Sequence, residues 1–98
     1  MQLEQAVSIL EANKDLLKAF HVRSLSVFGS VARGEAGPDS DIDLLVDFEP
    51  GARVGFFALA RLQRCLSELL GTPVDLVTPD ALHKEMRREI LEESVHAV

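Results

Sequence analysis

Cysteine is nearly absent from this 98-residue chain, where Cys65 stands alone. That excludes an internal disulfide and any metal site built on several thiolates. Its apolar, helix-like surroundings mark Cys65 as a small buried hydrophobe. Cationic side chains are also scarce: 10 Lys and Arg face 16 Asp and Glu, for a net charge of −6. A passive nucleic-acid binder has the reverse balance, because Lys and Arg must displace counterions from the phosphates. No direct nucleic-acid binding is therefore expected, and any contact with phosphates calls for metal ions rather than lysine clusters. No apolar run approaches the roughly 18 residues that a membrane helix requires. Met1-Gln2-Leu3-Glu4-Gln5 lacks the basic start of a secretory signal. The expected location is a reducing cytoplasm, with no membrane partner. Repeats and low-complexity segments are missing, and His21, His83 and His96 show no ligand spacing.

What is present suits a folded protein. Apolar residues make up 47% of the chain and charged residues 27%, a balance that disordered chains do not have. The length predicts one domain, residues 1–98. Residues 3–20 place Leu3, Ala6, Val7, Leu10, Leu17 and Phe20 on one helical face. Leu25-Ser26-Val27-Phe28 is short and β-prone and ends at Gly29-Ser30. Val31-Ala32-Arg33 can make one helical turn, and Gly34 to Ser40 is a breaker stretch. A second β-like run covers Asp41 to Phe48. Residues 54–70 form an amphipathic helix with Phe56, Leu59, Leu62, Leu66 and Leu69 inward, closed by Gly71. Val74-Asp75-Leu76-Val77 reads as a third strand. Asp80 fits the N-cap of a last helix that turns Leu82, Met86, Ile90 and Val95 inward. The predicted fold is α/β (α+β): a small mixed sheet with helices on one face.

The chemistry concentrates at three places. Asp41 and Asp43 are two residues apart, so in a strand they share a face, about 6.6 Å apart along the chain. Carboxylates at that spacing can converge on two cations roughly 3.5–4 Å apart, and without a cation they repel each other. Asp75, on a neighbouring strand, can complete the cluster. Hard carboxylate oxygens suit Mg2+, which keeps water and substrate phosphate oxygens in its shell. Gly29-Ser30 supplies a backbone that can approach a ligand closely, at a strand-to-helix turn whose N–H groups favour an anion. Arg33, one turn later, has a forked guanidinium able to reach a phosphate.

Gly29-Ser30, ten intervening residues and then Asp41-Ile42-Asp43 resembles the signature of the DNA polymerase beta-like nucleotidyltransferase superfamily. The fuller string, Phe28 to Gly34 and Ser40 to Val46, resembles its minimal nucleotidyltransferase (MNT) branch, and Val74-Asp75-Leu76-Val77 matches the place of that branch's third acid. The resemblance spans essentially the whole chain. It implies a nucleoside triphosphate donor, two Mg2+ ions and loss of pyrophosphate. Asp41 and Asp43 would hold both metals and Asp75 the catalytic one, helping to deprotonate the attacking hydroxyl. Gly29 and Ser30 would hold the β- and γ-phosphates. Members of this size resemble antitoxins that place AMP, from ATP, on a tyrosine of a HEPN-domain ribonuclease toxin. Two alternatives stay open: an antitoxin that acts by stoichiometric binding alone, and transfer to a small-molecule hydroxyl.

Other conspicuous residues have plainer expectations. Asp39 and Ser40 belong to the turn Gly37-Pro38-Asp39-Ser40. Asp47 is a solvated residue at the far end of its strand. Phe57, off the main stripe of its helix, is an edge of the core, with a partner contact as the alternative. Glu85, Arg87, Arg88, Glu89, Glu92 and Glu93 form the solvated face of the last helix.

Overall fold

A computed structural model describes residues 1–37 and 40–98. The expectation for Asp39 lies outside the described residues. Four strands form one mixed sheet in the order β3-β2-β1-β4. They are β1 (Val22–Phe28), β2 (Ile42–Phe48), β3 (Val74–Val77) and β4 (Val95–His96). β1 runs antiparallel to β2 and β4, whereas β2 and β3 are parallel. The parallel pair requires a crossover, supplied by the helix α4 (Phe56–Leu70).

Alternation along the strands decides which face is dry. Leu25 and Val27 on β1, Ile42, Leu44 and Val46 on β2, and Val74 and Leu76 on β3 are buried. They join a core with Ala6 and Leu10 of α1 (Leu3–Ala12), Leu17 of α2 (Lys14–Ala19), and Leu62, Leu66 and Leu70 of α4. The opposite parity carries Asp43, Asp47 and Asp75, with only Leu45 buried among them on β2. The apolar and polar faces of the sheet thus follow from period-2 patterning.

The structure departs from the sequence reading at several elements. The helix expected over 3–20 is two helices divided at Asn13. There the side-chain amide donates to the Ile9 carbonyl at 2.8 Å, a local bond that competes with helix continuation. Phe56 and Phe57 are not core residues. Burial in α4 is confined to its later turns, leaving the two rings 80% and 81% exposed, edge to face, in the first turn. Cys65 is half-buried rather than enclosed. Gly71 does close α4, in the left-handed region at φ 68°.

Asp80 does not cap the last helix. It lies in a short 3-10 turn (Pro79–Ala81), and α5 (Lys84–Glu93) begins after His83. The guanidinium of Arg87 donates to the Pro79 carbonyl at 3.1 Å and ties turn to helix. Met86 is 50% exposed rather than inward. Val95 is in β4, a strand absent from the sequence reading because two residues carry no periodic signal. Among the described residues no helix is long and apolar enough to cross a membrane.

The burial pattern predicts the effects of two substitutions. Leu62→Ala, at a fully buried site, should destabilise the protein by about 2–5 kcal/mol. Phe56→Ser should change stability by less than about 0.5 kcal/mol. Urea denaturation with both variants checks the contrast.

Candidate active site

The site gathers at one end of the central strands. β1 ends at Phe28, and the chain turns at once into the single-turn helix α3 (Gly29–Ala32). In the sheet, Phe28 is paired with Asp43, and Asp43 is paired with Asp75 on β3. The turn and two carboxylates therefore share one level of three adjacent strands. Asp41 lies just before β2 rather than within it, and it is exposed, as is Asp75; Asp43 is half-buried.

Gly29 is required by two features of this geometry. Its φ of 75° lies in the left-handed region, and a Cβ there would overlap the Asp43 carboxylate oxygen Oδ2. The turn thus touches the carboxylate directly. Ser30 follows, half-buried, and its carbonyl accepts the Glu35 N–H at 2.9 Å.

Electrostatics shows how crowded the charges are. The Asp43 carboxyl is held above the usual carboxylate range by burial first, then by Asp75 and Asp41, with a smaller contribution from Glu93; Arg33 pulls the other way. Three like charges thus act on one another, with the Arg33 guanidinium offsetting only part of the effect at Asp43. Among the described residues no three His, Cys, Asp or Glu side chains form a ready-made metal cage. The donor set nevertheless fits Mg2+. That ion binds through one or two carboxylates and fills its shell with water and phosphate oxygens, and its charge would relieve the repulsion at Asp43.

The remaining candidates are distributed as follows. Arg33 is already engaged: Nε donates to Glu35 Oε2 at 3.0 Å and Nη1 to Glu93 Oε2 at 3.1 Å. A phosphate would have to exchange with these partners. Ser40 serves its turn, accepting the Gly37 N–H at 2.9 Å. Asp47 pairs with Arg23 across the strands at the other end of β2, a half-exposed surface contact of small energetic weight. His83 precedes α5 and His96 lies in β4, and both are exposed. The sequence reading missed Glu93. It was assigned to the solvated face of α5, yet its Oε1 accepts the Gly29 N–H at 3.1 Å.

Two measurements follow from this crowding. Because the folded carboxyl titrates above its unfolded value, ionised Asp43 opposes folding at neutral pH, and that opposition fades as pH falls through the folded pKa. Asp43→Asn should therefore raise the Tm of metal-free protein at pH 7, with the gain shrinking in acid. Gly29→Ala should instead lower Tm, since the turn and the carboxylate cannot both keep their places. Thermal melts across pH in chelator check both.

Comparison with known proteins places the fold in a family. A family model described as the nucleotidyltransferase domain matches residues 7–97. The protein adenylyltransferase MntA of Thermococcus cleftensis is 43% identical over 97 residues, covering 98% of this chain and 96% of that protein. A solved structure described as a candidate minimal nucleotidyltransferase superposes with a TM-score of 0.81 at 42% identity, over 97% of this chain and 95% of the other. The fold is also that of the MNT antitoxin bound to a tri-AMPylated HEPN toxin of Shewanella oneidensis. There the TM-score is 0.68 at 18% identity, over 95% of this chain and 71% of that chain. With the family model spanning nearly the whole chain and a relative 43% identical over almost its full length, the chain belongs to the nucleotidyltransferase domain family.

Proposed function

We propose that this nucleotidyltransferase is a magnesium-dependent protein adenylyltransferase. It would act as an antitoxin that moves AMP from ATP onto a tyrosine hydroxyl of a HEPN-domain ribonuclease. The observation that carries the reading is the register that sets Asp75 beside Asp43 at the level of the Gly29 turn. It is supported by the name of the Thermococcus cleftensis relative and by the complex in which an MNT antitoxin accompanies an AMPylated HEPN toxin.

In this reading Asp41 and Asp43 hold two Mg2+ ions, with Asp75 completing the set. Bound there, the ions neutralise charge that develops on the phosphates. The protein's own groups position the reactants. The Gly29-Ser30 turn seats the β- and γ-phosphates through backbone N–H groups and the Ser30 hydroxyl. Asp75, exposed at the edge strand β3, is open to an incoming acceptor and takes the proton of its hydroxyl. The acceptor oxygen bonds to the α-phosphorus, the bond to the bridging oxygen breaks, and pyrophosphate leaves. The acceptor's own surface would complete the site on the open side of Asp75.

A second reading is neutralisation by binding alone, and the exposed Phe56 and Phe57 favour it. One assay separates the two. The protein is incubated with Mg2+, α-labelled ATP and the product of the adjacent gene, beside Asp41→Asn/Asp43→Asn. The expected outcome is label and an AMP-sized mass gain on the neighbour, lost in the double variant although the pair still associates. Association without label, equal in both proteins, would favour binding alone.

A further inference from the structure

We propose that Glu93 is a positioning residue for the donor nucleotide, fixing the Gly29-Ser30 turn from the far end of the chain. The proposal rests on the reading that this turn seats the triphosphate.

Glu93 makes two contacts with the same turn. Its Oε1 accepts the Gly29 N–H and its Oε2 accepts Arg33 Nη1, each at 3.1 Å. The N–H of Gly29 begins a helix of only four residues and has no partner within it. Glu93 therefore does for α3 what an N-cap side chain would do, but from a residue 64 positions away. It also holds the Arg33 guanidinium at the end of the same turn.

The contact is built by the fold and is not a stray surface pairing. β4 pairs with β1 through Ser26↔His96 and Val27↔Val95. Continuing that register by two residues sets Glu93 opposite Gly29. Backbone bonds from Ala97 and Val98 to the Leu25 carbonyl, at 2.8 and 3.1 Å, anchor the segment further. The neighbouring Glu92 shows the contrast. Its side chain is 70% exposed and pairs with Arg88 one turn back, at 3.3 Å, whereas the Glu93 side chain is 30% exposed.

Charge placement argues against a merely electrostatic role. Glu93 is the last residue of α5, the end of a helix where an acid is disfavoured by the dipole. It also adds a carboxylate to a site already rich in them. Its two hydrogen bonds to the turn are the compensation visible in the structure. By taking the Gly29 N–H and steadying Arg33, Glu93 leaves the following N–H groups and the Ser30 hydroxyl pre-set for a phosphate, which lowers the ordering penalty of binding.

The test is calorimetric titration with Mg2+ and α,β-methylene-ATP, which resists transfer at the bond that would break, for wild type, Glu93→Ala, Glu93→Gln and Glu92→Gln. Thermal melts establish that each is folded. Glu93→Ala should weaken binding by about tenfold, as expected for losing contacts of this kind. Glu93→Gln, which keeps an acceptor for the Gly29 N–H, should recover much of that loss. Glu92→Gln should match wild type. In transfer assays Glu93→Ala should raise KM for the nucleotide and leave KM for the protein acceptor unchanged. Unaltered nucleotide affinity in folded Glu93→Ala would overturn the proposal. Tighter binding would overturn it too, showing that Glu93 competes with the phosphate. Failure of every protein, wild type included, to bind the Mg2+-nucleotide would instead defeat the underlying reading of the turn.

Discussion

A half-buried carboxylate, Asp43, held beside two others at one end of a sheet is the constraint around which this small structure is organised. The parallel pairing of β2 and β3 sets Asp43 directly beside Asp75, and Asp41 lies two residues before Asp43. Ionised Asp43 opposes folding here, because burial first, and then the charges of Asp75 and Asp41, hold its carboxyl above the usual carboxylate range. The rest of the fold tolerates it by burying the alternate residues of the same strands. Ile42, Leu44 and Val46 are each fully enclosed beneath α1, α2 and α4, so strand order and register are held by hydrophobic burial while the opposite face is free to carry the carboxylates.

The chain also closes on itself around the site. Gly29 follows β1, lies against Asp43 and is held by Glu93 from the end of α5. Three remote segments therefore meet at one backbone turn: the end of β1, the start of β2 and the C-terminal helix. A loop with a positive φ and a helix of a single turn has little intrinsic stability. Its shape depends on those neighbours, which links the C-terminal strand β4 to the geometry of the candidate phosphate seat. The same economy leaves surface elsewhere without intramolecular work, most visibly at Phe56 and Phe57.

Much of this was legible before the structure. Alternation in residues 41–48 and 74–77 separated core from polar face, and the spacing of Asp41 and Asp43 pointed to cation chemistry. Gly29-Ser30 lies where the sequence reading put it, at the end of β1. The less legible parts depended on tertiary contacts. Phe56 has the helical spacing of a core residue, but periodicity cannot tell how far along α4 the cover extends. Asn13 interrupts a helix through a side-chain bond to Ile9, which a hydrophobic pattern does not register. Glu93 sits in a run of charges that reads as solvated face. Only the pairing of β4 with β1 brings it to Gly29, and a two-residue strand leaves no signal in the sequence.

The central claim is that the three aspartates and the glycine-serine turn together form a metal-nucleotide site. The most direct measurement is a crystal structure grown with Mn2+, as an anomalous stand-in for Mg2+, and α,β-methylene-ATP. The account predicts metal peaks among Asp41, Asp43 and Asp75, with the β- and γ-phosphates on the N–H groups of the Gly29-Ser30 turn. Nucleotide bound elsewhere on the chain, with no metal at these carboxylates, would contradict it.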